Sequence, residues 1–341
     1  MRHKNRSSDP GIDTDPFGEH KVPLLRSGLQ LLGGRFRFDS NSPALLQIIE
    51  TAYADLPRHR FRAKVPDFRI TLLLSGAPPA RAARRAAPPP LSMLHGAGFL
   101  GGTTAASTFT IIAPGERSAI VCVPPSLLEF PYHTRYELIE FTVFTLACRA
   151  QGLVPLHAAC VGLRNRAVLL MGASGAGKST VALHCLFAGM QFLAEDSVFV
   201  DPVSLKASGV ANFLHVREES LQWLSRSRDR AMIRRSPVIR RRSGVAKFEV
   251  DLRRAAFHLA PTPLKIVAVA FLSAQSAGAR PLLRSLSNSE LTAQLREQQG
   301  YGASLPQWRA FSRKLSQLGG FELKRGKHPQ DSVAALQSLL D

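Results

Sequence analysis

The stretch GASGAGKST, running from Gly172 through Ala173, Ser174, Gly175, Ala176, Gly177, Lys178 and Ser179 to Thr180, decides how the rest of the chain is read. It satisfies G-x-x-x-x-G-K-[ST] at Gly172, Gly177, Lys178 and Ser179. An apolar run, AVLLMG, precedes it and a helical pattern, KSTVALHCLFAG, follows, which is the context a phosphate-binding loop needs. The glycines let successive backbone N–H groups turn toward one anion, and the following helix aims the positive end of its dipole at the same point. Lys178 is then expected to reach the β- and γ-phosphates, and the Ser179 hydroxyl to ligate Mg²⁺. The expectation is a site for ATP and Mg²⁺ formed by residues 172–180.

Many unrelated machines hold phosphates this way, and the position of the partner carboxylate separates them. Transporter-type ATPases need an LSGGQ-like signature, and the nearest approach, LSQLGG at 315–320, has the wrong order. A guanine reader of the NKxD kind is absent. Instead Glu195 and Asp196 follow within 20 residues of Lys178, in QFLAEDSVFVD, which reads as the next strand. A parallel strand beside the phosphate-binding one would bring both carboxylates to the metal. One could hold Mg²⁺ while the other takes a proton from an incoming hydroxyl. His157 stands in the apolar run LVPLHAACV, fifteen residues before Gly172.

The order His157, hairpin, GASGAGKST, FLAEDSVFVD resembles the catalytic domain of the HPr kinase/phosphorylase family. In particular it resembles the stand-alone HPr-kinase-related proteins, some of which accompany peptide-modification clusters. The resemblance covers about residues 150 to 341 and implies an α/β fold like that of phosphoenolpyruvate carboxykinase. It also implies ATP-dependent phosphorylation of a serine hydroxyl. Carried over by position, Glu195 would be the base, Asp196 the metal-side carboxylate beside Ser179, and His157 would stabilise the transferred phosphoryl. The family's acidic pair is usually Asp-Asp where this chain has Glu-Asp, and its HPr-specific enzymes usually carry Glu where this chain has Thr180. The resemblance therefore points to a protein or peptide other than HPr as substrate, such as a precursor peptide, and to a homo-oligomer. The competing expectations are an ATP-binding regulatory protein without catalysis and a small-molecule kinase.

The flanking sequence divides the chain. Residues 1–19 read as a disordered tail, 20–150 as a smaller α+β domain, and 151–341 as the P-loop domain. Within the first, LQLLGGRFRFDS reads as a strand, PALLQIIETAYADL as a helix and RFRAKVPDFRITLLLSG as extended. The Pro/Ala/Arg-rich 77–92 reads as a linker or exposed loop. FTIIAPGERSAIVCVP reads as a hairpin, and YHTRYELIEFTVFTLACRAQG as a helix closed by Gly152. Downstream, KFEVDL, LKIVAVAFL and FELKRG read as strands, SLPQWRAFSRKLSQLGG as a helix with Ser304 as N-cap, and DSVAALQSLL as a closing helix.

Composition bounds the setting. The 341 residues carry a formal charge of +19, a hydrophobic fraction of 45% and a mean hydropathy of −0.01. Apolar runs such as IVAVAFL fall far short of the roughly 18 to 20 residues that span a bilayer. MRHKNRSSDPGIDTDP has no apolar segment behind it, so no signal peptide is read. Cys122, Cys148, Cys160 and Cys185 lie far apart, as reduced thiols in a cytoplasm do. The positive charge has two readings: attraction of a polyanion, or an arginine-, alanine- and leucine-rich composition of the kind a codon-biased genome gives. The aromatic-and-basic alternation of nucleic-acid-binding sheets is missing, which disfavours nucleic acid. Arg240, Arg241 and Arg242 lie in a basic segment that runs up to Lys247, the first residue of KFEVDL. Read functionally, that segment is a mobile loop gripping an acidic or phosphorylated peptide; read plainly, it is a solvated loop.

Overall fold

The structure is a computed structural model that describes residues 24–76, 88–105, 108–254 and 257–341. The tail expected over 1–19 and most of the linker, 77–87, lie outside the described residues. The linker's end does not stay a loop, because Ser92 opens a strand.

The first half builds one seven-stranded sheet from β1 (Leu25–Leu31), β2 (Gly34–Ser40), β3 (Asp67–Leu74), β4 (Ser92–Gly96), β5 (Phe99–Ala105), β6 (Thr108–Ala113) and β7 (Ser118–Val123). Their order is β1-β2-β3-β7-β6-β5-β4. In β2, Phe36 and Phe38 are buried while Arg35 and Arg37 face solvent, the period of two that marks a half-buried strand. The helix Pro43–Tyr53 lays Leu45, Ile49, Ala52 and Tyr53 on that face. LQLLGGRFRFDS is a hairpin rather than the single strand expected. Leu32 (φ 47°) and Gly33 (φ 80°) both take left-handed conformations, and a two-residue turn of that kind matches the twist of paired strands. Ala97 and Gly98 turn β4 into β5 in the same way (φ 47° and 81°), a hairpin that the proline-rich flank hid. β6 and β7 pair antiparallel around Pro114–Arg117, as expected.

The link to the second half is a helix running through Pro131–His133, a π-helical stretch Thr134–Glu140 and Phe141–Gln151, and it ends at Gly152 (φ 69°). Such π stretches are rare and occur often at functional sites. Beyond it come β8 (Val154–Leu156), β9 (Ala159–Leu163), β10 (Arg166–Met171), the helix Lys178–Phe187, β11 (Gln191–Ala194), β12 (Val198–Val200), β13 (Lys206–Gly209) and β14 (Phe213–Val216). They are followed by β15 (Val238–Arg240), β16 (Ala246–Asp251), β17 (Leu264–Ser276), β18 (Leu283–Leu286), β19 (Gly320–Arg325) and the helix Pro329–Ser338. β10, β17 and β19 run parallel at the centre of the larger sheet. The apolar residues of β10 and β17 are buried on both faces, which is why those two read as continuous hydrophobic runs. Two expected boundaries move. The helix expected from Ser304 begins at Trp308, with Ser304 instead closing the short helix Gly300–Ala303. The segment expected as a mobile loop holds the helix Ser227–Arg234 and the hairpin β15–β16.

The two halves share a core. Phe199 and Val210 join the buried cluster of Val143, Leu146 and Leu153, and the rings of Phe144 and Phe199 lie 5.0 Å apart. Buried His59 hydrogen-bonds Ser208 Oγ (2.8 Å) and the Ala260 carbonyl (2.9 Å). Cys148, Cys160 and Cys185 are buried free thiols, and Cys122 is half-buried and also free. Among the described residues no helix is long and apolar enough to cross a membrane.

Packing at the larger sheet is tight enough to test by adding one methyl group. A Cβ on Gly162 would stand 2.4 Å from the Arg166 carbonyl oxygen and 2.7 Å from Leu264. Gly162→Ala is expected to cost about 1–3 kcal/mol, read as a lowered thermal unfolding midpoint. Gly115→Ala, which meets nothing within 4 Å, is the control; equal midpoints for the two variants would refute the reading.

Candidate active site

The strand β10 delivers the chain into the loop Gly172–Gly177. Gly172 (φ 145°), Gly175 (φ 83°) and Gly177 (φ 104°) hold conformations closed to other residues. Gly172 is doubly constrained, since a Cβ there would meet the Leu272 carbonyl at 3.1 Å and Ala176 at 3.2 Å. Lys178 begins the following helix and curls back, its Nζ donating to the carbonyls of Gly172 (2.7 Å) and Ala173 (3.4 Å). Burial lowers the Lys178 ammonium from its usual value, while Asp196 and Glu195 pull it up. The loop opens on a cleft of about 590 Å³ lined by His157, Ser174 to Val181, Asp196, His215, Arg241 and Lys247. Trp223 and His328, edge to face at 5.6 Å, line the same cleft.

The carboxylate pair reaches this loop by a route different from the one expected. β11 is not the neighbour of β10, because β9 lies between them, antiparallel to both. Nor do the carboxylates sit in mid-strand. β11 ends at Ala194, β12 starts at Val198, and Glu195 and Asp196 occupy the bend between them. The bend sends the two side chains to different places. Glu195 is 5% exposed and accepts from Ser179 Oγ at 2.7 Å. Asp196 is half-buried at the cleft wall and accepts from the Arg241 guanidinium at 3.1 Å.

His157 is not a core residue. It sits exposed at the break between β8 and β9, with Nδ1 3.1 Å from the Asp196 carbonyl. Buried Gln299 grips its backbone on both sides, accepting from the His157 N–H (2.7 Å) and donating to its carbonyl (3.1 Å). The four basic residues expected together are separated. Arg241 and Lys247 line the cleft. The guanidinium of Arg240 instead donates to the Gly244 carbonyl, and that of Arg242 pairs with Glu137 and the carbonyls of Pro88 and Pro89. The hydroxyl of Thr180 faces Ser220 at 3.0 Å.

A group that the sequence did not single out holds the acidic bend in place. His215, from β14, is buried between two carboxylates. Its Nδ1 lies 2.8 Å from Glu195 Oε2, its backbone N–H donates to that same oxygen (2.9 Å), and its Nε2 lies 3.1 Å from Glu249 Oε1. Two ring nitrogens facing two ionised acceptors require both to carry protons, so the ring is an imidazolium. Burial alone would lower its pKa, but the charges and hydrogen bonds of Glu195 and Glu249 raise it above the ordinary value. Burial alone would likewise raise Glu195, but His215 first, with Lys247 and Ser179, holds it well below the carboxylate range. Glu249 passes the chain on to Arg135, whose guanidinium donates to both of its oxygens. Arg135 comes from the π-helical stretch of the first half and lies over the Phe213 ring at 4.4 Å. Tyr132 and Tyr136 close the box, edge-on to His215 at 6.0 and 6.4 Å. No local pattern in the sequence marks His215, because its partners lie 20 and 34 residues away.

Among the described residues no three His, Cys, Asp or Glu side chains converge as a metal cage. Ser179 and Glu195, joined at the mouth of the loop, are the donor set that fits Mg²⁺. That ion is ordinarily held by one or two protein groups together with substrate phosphates.

No family model matches the chain, and no curated protein matches it. Among solved structures it is similar to the Hpr(Ser) kinase/phosphatase from Coxiella burnetii, with 11% identity and a TM-score of 0.27. That similarity covers 54% of this chain and 87% of the other.

The His215 pair makes a signed prediction about pH. A raised histidine stabilises the fold fully below its ordinary 6.5 and loses that contribution as pH climbs through its higher folded value. A depressed carboxylate contributes above its ordinary 4.5 and loses it as pH falls through its lower folded value. Stability is therefore expected to fall on the alkaline side, between neutrality and pH 10, as His215 deprotonates. His215→Ala, which strands two buried carboxylates, should cost about 3–5 kcal/mol at neutral pH and flatten that alkaline slope. Urea unfolding at several pH values checks both, and an unchanged slope in the variant overturns the assignment of charge.

Proposed function

We propose that this chain is a P-loop kinase that transfers the γ-phosphoryl group of ATP to a serine hydroxyl of a protein or peptide. The observation that carries the reading is the split of the acidic bend. Glu195 is bonded to the loop's Ser179, while Asp196 faces the open cleft beside His157. This split supports exchanging the roles that position alone implied. Glu195, buried and ionised against His215, is the metal-side carboxylate with Ser179. Asp196 is the base.

The backbone of 172–177 and Lys178 would hold the phosphates, and Trp223 and His328, which line the same cleft, would pack against the nucleotide base. Bound Mg²⁺ would supply charge neutralisation between the β- and γ-phosphates. Asp196 takes the proton of the incoming hydroxyl as its oxygen bonds to the γ-phosphorus. The bond from that phosphorus to the bridging oxygen breaks, and ADP leaves with the electron pair. Arg241, which donates to Asp196, keeps that carboxylate oriented until the hydroxyl arrives. His157, fixed by Gln299, faces the transferred group.

The test is γ-labelled ATP with candidate peptides, followed by assay of acid-stable phosphoserine. Asp196→Asn is expected to slow transfer by about 10²–10⁴-fold with nucleotide affinity retained. Lys178→Ala should lose both, and Glu195→Gln should raise the Mg²⁺ concentration needed for half-maximal rate. Nucleotide binding without transfer to any hydroxyl would replace the kinase by an ATP-binding regulatory protein. Label in small molecules alone would make the acceptor a metabolite.

A further inference from the structure

His215 and Glu249 sit across from each other on β14 and β16, on one face of the small sheet. Side chains two residues further along a strand return to the same face, so Arg217 and Lys247 come next in line. The register that sets Val216 across from Phe248 carries Arg217 to a place across from Lys247, since the backbone at Arg217 is still extended (φ −81°, ψ 151°). Two cations thus meet at the end of the sheet, and both line the cleft of the phosphate loop. Like charges directly opposite one another on paired strands work against the pairing. Among the described residues neither side chain has an ion-pair or hydrogen-bond partner. The nearby carboxylates are already engaged, Glu195 by His215 and Asp196 by Arg241. Burial lowers the Lys247 ammonium from its usual value, Glu195 and Asp196 pull it up, and Arg241 and Arg217 push it down again. A half-buried lysine set against an arginine, with no carboxylate left for either, calls for an anion from outside the chain.

We propose that Arg217 and Lys247 together hold the terminal phosphate of the bound triphosphate. The inference rests on the kinase reading for the nucleotide itself and deepens it by naming the groups that sense its third phosphate. Glu195 acts on Lys247 more strongly than Asp196 does, and Glu195 is the carboxylate bonded to Ser179. The pair therefore belongs to the metal side of the acidic bend, where the phosphate chain ends, rather than to the side of the base. The phosphate loop and Lys178 follow a strand of the larger sheet, whereas the pair comes from the smaller one, so the terminal phosphate is gripped from two separate walls. A triphosphate relieves the repulsion between the two cations, and a diphosphate stops short of them. The cleft thereby tells ATP from ADP. Lys247, expected to grip an acidic peptide, becomes a nucleotide ligand instead.

The experiment is calorimetry on the full chain with Mg²⁺ and either ADP or a non-hydrolysable ATP analogue with an imido group between the β- and γ-phosphorus. Arg217→Gln and Lys247→Met are each expected to weaken the analogue at least about tenfold, as loss of a hydrogen bond to a charged group does, and to leave ADP affinity unchanged. Lys247→Arg should keep the analogue's affinity. Without nucleotide, the thermal unfolding midpoint of Arg217→Gln should equal or exceed that of the parent, because one of two opposed like charges is gone. Equal losses for ADP and the analogue, or a lowered midpoint in Arg217→Gln, would make the pair structural and overturn the proposal. Unchanged analogue affinity with a raised KM for an acidic acceptor peptide would assign the anion to the acceptor and overturn it as well, with the kinase reading intact. Selective loss of the analogue in both variants, in a parent that transfers no phosphate to any hydroxyl, would remove the kinase reading and leave the pair standing. A parent that binds neither nucleotide would overturn both.

Discussion

The imidazolium of His215, buried between Glu195 and Glu249, is the constraint on which the rest of the site depends. Two carboxylates in an apolar interior would each take up a proton rather than stay charged. The histidine keeps both ionised, and the geometry of its two nitrogens fixes where they point. Glu195 is thereby held against Ser179, and Glu249 is held where Arg135 can reach it. The phosphate loop, the acidic bend, the small sheet of β14, β15 and β16, and the helix of the first half are thus parts of one electrostatic unit. Removing such a charge is far costlier than its net contribution suggests, because the partners left behind cannot be resolvated.

A related division of labour follows from the bend itself. Had QFLAEDSVFVD continued as a regular strand, Glu195 and Asp196 would project from opposite faces of the sheet. Breaking the strand at 195–197 puts one carboxylate inward, beside the loop serine, and leaves the other at the cleft wall. The same break places Asp196 between the polar cleft and an adjoining apolar cavity.

Much of this architecture was legible in the sequence, and for identifiable reasons. β10 and β17 announced themselves as uninterrupted apolar runs, and the loop at 172–180 by its glycines and lysine. The helix ending at Gly152 and the hairpin at Pro114–Arg117 carried ordinary end and turn signals. What did not show was anything set by pairing at a distance. The insertion of β9 between β10 and β11 leaves no local trace, since neighbouring strands of either direction bury similar residues. Leu29 and Leu31 flank Gln30 before the Leu32–Gly33 turn, and Phe36 and Phe38 alternate with Arg35 and Arg37 after it, so a hairpin read as one strand. The arginines at 240–242 are consecutive in sequence, yet a tight turn sends them three ways. His215 gave no sign of its role, because a histidine earns one only from the groups packed around it.

The position of Arg135 has a consequence for how this chain could have arisen and how it can be rearranged. Its guanidinium belongs to the first half, while the acid it neutralises belongs to the second. A fragment holding only 151–341 would leave Glu249 to share the single charge of His215 with Glu195, and one holding only the first half would leave Arg135 with Glu140 alone. The two parts are therefore not freely exchangeable modules. Splitting, shuffling or grafting the second half onto a new partner demands that the recipient bring its own arginine to the same spot.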